Sequence, residues 1–194
     1  MIGKKNIVFG FLFLALTAAL GPLMILKYVP VARSAAAKRQ EKIGALQLAQ
    51  ENGFTVDLEK MTPEQIARAD ADALLALSAQ LDAQSPIDAI KGGPHAHGNL
   101  EALLNIVVGI FIAFLAVPAG FKQTISWFFI LGALGHSGLL YLAVALKLPW
   151  AQNLLASWFA VIGPLLLLVG LLLAGIAAAI GFNGTLVKDK AVRH

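Results

Sequence analysis

The residues able to do chemistry concentrate in two short stretches. The first reads Gly92-Gly93-Pro94-His95-Ala96-His97-Gly98-Asn99-Leu100-Glu101, with Asn105 one turn further on. His97, Glu101 and Asn105 are spaced i, i+4, i+8, which places them on one stripe of an α-helix. The residues that follow, Leu103, Leu104, Ile106, Val107, Val108, Ile110 and Phe111, are apolar. A polar stripe on such a helix must face protein or a cavity, because lipid offers it no partner. The second stretch reads Gly135-His136-Ser137-Gly138-Leu139-Leu140-Tyr141, in a run without charge. Ser137 and Tyr141 are again i, i+4. An imidazole at His136 costs free energy in that setting unless it is hydrogen-bonded or ligates something.

These residue types suit four chemistries or roles. His97, or His97 with His136, is suited to axial ligation of haem b, with Gly98, Gly132, Gly135 and Gly138 leaving room for the macrocycle. Two axial histidines would close the iron and favour electron transfer, whereas one would leave a position open. His95, His97, Glu101 and His136 are also suitable ligands for zinc or copper, and three protein ligands plus water would be a catalytic arrangement. His97 and Glu101 would serve as a proton relay. The structural alternative puts His95 and His97 in a hydrated interfacial loop. Glu101 is then favoured by the helix dipole in a first turn, and His136 bonds a neighbouring helix.

Other chemistries are excluded. The absence of cysteine removes thiolate zinc, iron–sulfur and cysteine-nucleophile sites. No glycine stretch is followed by the Lys-Ser/Thr pair of a phosphate loop. A di-iron carboxylate site needs several inward glutamates, and only Glu101 lies in an apolar segment. His194 reads as a solvated tail.

The elements that must position these residues follow from composition. Of 194 residues, 58% are hydrophobic and 13% charged, about half the charge share of a soluble domain. Too few charges remain to wet a globular surface, which makes an integral membrane protein the expectation. A bilayer core needs about 20 apolar residues in a helix. Segments near Asn6–Leu26, Leu100–Phe121, Ile125–Leu146 and Leu154–Phe182 meet that length. The first follows Lys4 and Lys5 and is longer than a signal-peptide core, so it reads as an uncleaved anchor. Pro164, beside Gly163, predicts a kink near the entry of the fourth.

The expected fold is therefore all-α: a four-helix transmembrane bundle with a helical extramembrane hairpin. Residues 1–27 form the first spanning helix, 28–94 the hairpin, and 95–194 a three-helix membrane domain with a short basic tail. The hairpin helices are expected near Val31–Gln50, stopping at Asn52-Gly53, and from Thr62, where Thr62-Pro63-Glu64-Gln65 is a capping box, to a stop before Ser85-Pro86. The second and third spans are antiparallel neighbours joined near Lys122-Gln123. That brings His97, Glu101 and Asn105 to the depth of His136, Ser137 and Tyr141.

The net charge of +4 comes from residues flanking apolar segments, which points to membrane placement and not to nucleic acid. Both short basic tails favour an N-in, C-in orientation in a bacterial inner membrane. Gly163, Gly170, Ala174, Gly175, Ala177 and Ala178 give the last helix small residues for close helix approach and oligomer contacts.

The central stretch also carries a family likeness. Ala96-His97-Gly98, Asn105, Gly120-Phe121 and Tyr141 in a Gly/Ser-rich third helix resemble the styrene oxide isomerase family, small four-helix membrane enzymes that bind haem b. The resemblance covers about His97 to Tyr141, and the Lys27–Pro94 segment has no counterpart in it. It implies haem b held by His97, acting as a Lewis acid on the oxygen of a small apolar epoxide, with Asn105 and Tyr141 positioning the substrate. The expectation of another class is a non-catalytic accessory subunit of a larger membrane complex, homo-oligomeric or docked through its soluble helices.

Overall fold

The computed structural model describes residues 1–56 and 58–187; of Val56 the backbone alone is described. His194, Lys188, Lys190 and Arg193 lie outside the described residues. The described residues are mostly helical, with one two-stranded β ladder and an isolated bridge between Leu115 and Phe182; among them, four helical stretches are long and apolar enough to cross a membrane: Lys4–Lys27, Pro63–Phe114, Ala119–Ala145 and Trp158–Gly181. It divides into two compact units, one made of Met1–Gly21 with the chain from Ile90 onward, the other of Pro22–Ala89. Both boundaries fall inside helices, within Leu20–Lys27 and Pro63–Ile90.

In the first unit, helix α1 (Lys4–Ala18) packs along α5 (Ala96–Phe111). The reason is written in a heptad. Gly3, Asn6, Gly10, Phe13, Thr17 and Leu20 are buried, at alternating spacings of three and four residues. A 3.5-residue repeat keeps one face of a helix turned to one neighbour. Small residues on that face let the backbones approach. A Cβ at Gly10 would come within 2.6 Å of the Ala102 carbonyl oxygen, and one at Gly109 within 2.7 Å of the Gly3 oxygen.

Helix α6 (Ala119–Ala133) continues as π-helical turns at Leu134–Gly138 and Tyr141–Ala145. It packs against α8 (Ile162–Gly181) by the same device. Gly163, Gly170 and Ala177 repeat every seven residues and are buried. A Cβ at Gly170 would lie 3.2 Å from the Phe129 ring, and Gly132 sits against Leu167. Three of the small residues expected to serve oligomer contacts thus hold α8 inside its own chain, while nothing lies near Gly175. The core between these helices is Val108, Ile112, Leu115, Ile125, Phe129, Leu167 and Ala177.

Several expected boundaries move. The break between the second and third spans falls at Leu115–Pro118, not near Lys122. Pro118 caps α6 with an extended backbone, and the Ala116 N–H bonds the Gly181 carbonyl at 2.6 Å. Lys122 is then inside α6 and only 2% exposed. Pro164 does not kink a long helix. A short helix α7 (Pro149–Leu155) and a 3-10 turn (Trp158–Val161) come first, and α8 begins at Ile162. Pro164 therefore sits in a first turn, where a missing N–H breaks no bond.

In the second unit, α3 (Val29–Glu51) ends at Asn52-Gly53, where Gly53 takes φ +63°. A two-stranded antiparallel ladder, β1 (Thr55–Val56) with β2 (Glu59–Lys60), leads to α4 (Pro63–Ile90). The capping box forms as expected: the Thr62 N–H donates to Gln65 Oε1 at 2.7 Å, and the Gln65 N–H to Thr62 Oγ1 at 3.2 Å. Alanines 32, 49, 73 and 76 are buried in this unit, and Lys42 lies 3.9 Å from Asp72. Helix α4 does not stop before Pro86. It runs through that proline to Ile90 and on into a π-helical turn, Lys91–His95, with Gly93 alone leaving helical geometry (φ −97°, ψ −109°).

Candidate metal centre

Antiparallel packing of α5 beside the π turn Leu134–Gly138 brings the two polar stretches together. The side chains of His97, Glu101 and His136 each offer a ligand atom, and these atoms all lie within 4.8 Å of one another. Glu101 is 4% exposed. Its Oε1 lies 2.5 Å from His136 Nδ1, and its Oε2 accepts from the Ser137 hydroxyl at 2.5 Å. The His97 and His136 rings stand with centroids 5.0 Å apart, tilted by 56°. The π turn is part of the construction, because one extra residue per turn re-aims the side chains that follow, and such turns recur at functional sites. The three π turns carry His95, His136 with Ser137, and Tyr141.

The other expected site residues go elsewhere. His95 lies outside the group: its Nδ1 is 3.0 Å from the Thr17 carbonyl oxygen. Residues two apart on a helix are turned about 200° around the axis, so His95 and His97 face opposite ways. Asn105 is fully buried. Its amide donates to the carbonyls of Glu101 at 3.0 Å and Phe129 at 3.1 Å. Its Oδ1 accepts from Asn6 Nδ2 at 3.0 Å. Both amide hydrogens are used inside the fold. Tyr141 lines an apolar groove of about 350 Å³ with Phe9, Phe13, Leu16 and Leu134. The second π turn begins at Tyr141 itself.

Three of the four glycines expected to leave room for a macrocycle lie in helix contacts. Gly98 lies against the Thr17 side chain, Gly132 against Leu167 and Gly135 against Gly163. Gly138 is not closed in this way: a Cβ there would meet nothing nearer than 3.6 Å, and it lines the apolar groove beside Tyr141.

Sequence reasoning missed the buried partners of the site. Asn6 Nδ2 also donates to the Ser126 carbonyl at 3.0 Å, and the Ser126 hydroxyl donates to Asn6 Oδ1. Thr17 donates to Asn99 Oδ1 at 2.8 Å and to the Phe13 carbonyl at 3.0 Å. Asn6 and Thr17 both sit in the heptad of α1, and that repeat was the available signal.

Comparison with protein-family models, with curated proteins and with solved structures finds no match in any of the three.

Proposed function

We propose that this chain is a multi-pass membrane protein, a four-helix bundle with an extramembrane helical hairpin, that holds one divalent transition-metal ion, zinc or copper, within the cluster of His97, Glu101 and His136. The observation that carries the reading is the cluster itself: an exposed imidazole at His97, a half-buried one at His136 and a buried carboxylate, from two helices, gathered within 4.8 Å. Imidazole is a good ligand for both metals, and the carboxylate supplies the negative charge that offsets the cation in a medium of low dielectric. With no more than three protein ligands, a coordination position is left for water or a substrate atom. The metal reading is preferred to haem b because Gly98, Gly132 and Gly135 are closed by neighbouring helices.

The test is metal analysis of protein purified in mild detergent, with an optical spectrum of a preparation expressed with haem supplied. Stoichiometric zinc or copper is expected in the wild type and in His95→Ala, and its loss in His97→Ala and His136→Ala. A Soret band that shifts on dithionite reduction would overturn the reading in favour of haem. Equal metal content in all four proteins would remove the cluster as its site.

A further inference from the structure

The contacts of Glu101 allow its role to be separated from that of the two histidines, and this step rests on the metal reading above. A tetrahedral zinc or copper ion with bonds near 2.0–2.1 Å holds its ligand atoms about 3.3 Å apart. Glu101 Oε1 and His136 Nδ1 are 2.5 Å apart. That separation has room for a shared hydrogen and not for a shared ion. With the ring as donor in this contact, the hydrogen sits on Nδ1. The opposite ring nitrogen, Nε2, then keeps its lone pair. The second carboxylate oxygen is held by the Ser137 hydroxyl, also at 2.5 Å. Ser137 is fully buried and follows His136 directly in the π turn. One carboxylate is thus clamped by two consecutive residues of the facing helix.

We infer that Glu101 is a positioning residue and not a metal ligand: with Ser137 it fixes His136 as the Nδ1–H tautomer, so that the ion is taken by His136 Nε2 and by His97. Histidine ligands commonly donate their other N–H to a carboxylate, which orients the ring and raises its basicity. Here that carboxylate comes from the same helix, and the same stripe, as the second imidazole. Ser137 is a site residue of the same kind. Its hydroxyl stops the Glu101 carboxylate from rotating away from His136 towards the ion.

Two measurements on the full chain in detergent test this. Nitrogen-15 NMR of histidine-labelled, metal-free protein reads the tautomer directly. The wild type should show His136 protonated at Nδ1 and bare at Nε2. Glu101→Leu, which offers no acceptor, should lose that preference. Zinc titration against a chromophoric chelator then reads affinity. Ser137→Ala and Glu101→Gln should each weaken zinc binding by about 10–100-fold, the usual cost of removing such a partner. The melting temperature in excess chelator separates this from a folding defect, since Ser137→Ala should bind less zinc even where its metal-free fold melts with the wild type. Protonation of His136 at Nε2 in the metal-free wild type would overturn the inference. So would Glu101→Gln abolishing zinc binding as fully as His97→Ala while Ser137→Ala binds normally, because Glu101 would then be a ligand. Absence of zinc binding in the wild type is a different failure, and it removes the metal reading itself.

Discussion

At the residue scale, the i, i+4 relation of His97 and Glu101 was legible because it needs only one regular helix. Their approach to His136 also followed from antiparallel packing. The exclusion of His95 was legible in principle, since two residues span more than half a turn. The use of Asn105 was not. Its partners are Asn6 and the Phe129 carbonyl, on two other helices, and no local spacing points to them. Asn105 is therefore expected to matter for stability more than for ligand binding. Asn105→Ala strands buried polar groups on Asn6 and Phe129, and should destabilise the fold by about 1–3 kcal/mol. Thermal unfolding in detergent measures that loss. Zinc retention by whatever fraction remains folded should stay near the wild-type level.

At the element scale, hydropathy located the four long apolar stretches and misplaced their ends. Leu115-Ala116-Val117-Pro118 is as apolar as the helices it separates, so a hydropathy reading passes over the turn. The structure places the break there because Pro118 favours extended backbone before it and can begin a helix after it. The π turns have no sequence signature of this kind, and they decide which way His136 and Tyr141 face. The heptads of α1 and α8 were in plain view as Gly3/Gly10/Thr17 and Gly163/Gly170/Ala177. They predict that Gly10 is intolerant: Gly10→Val should cost about 1–3 kcal/mol through overpacking against Ala102 and Ile106. Pro164→Ala, in contrast, should leave the melting temperature within the range of a neutral surface change, about 0.5 kcal/mol, because that proline begins α8 and bends nothing. A large effect of Pro164→Ala on unfolding would contradict a helix that begins at Ile162.

At the scale of the whole molecule, composition alone gave the class: 13% charged residues cannot solvate a chain of this size. The proposed topology puts both termini on one side of the membrane, and the chain has no cysteine to interfere with a labelling test. Single cysteines at Lys4 and Leu186 should react with an impermeant thiol reagent from the same side, and one at Leu58 from the opposite side. Labelling of all three from one face would contradict four crossings. Exposed aromatic and basic residues fit the same frame. Lys5 lies 4.0 Å over the Trp127 ring and donates to Gln123, while Trp150 and Trp158 are exposed near Lys147 and α7. Such residues prefer the headgroup levels of a bilayer.

The most direct test of a metal held by His97 and His136 is X-ray absorption at the zinc edge on zinc-loaded protein in detergent. A first shell of low coordination number is expected, with the outer-shell scattering of two imidazoles. One imidazole contribution should disappear in His97→Ala and one in His136→Ala, with His95→Ala unchanged. A six-coordinate shell of oxygen without imidazole scattering, or a spectrum that none of these substitutions alters, would contradict a metal centre between these two helices.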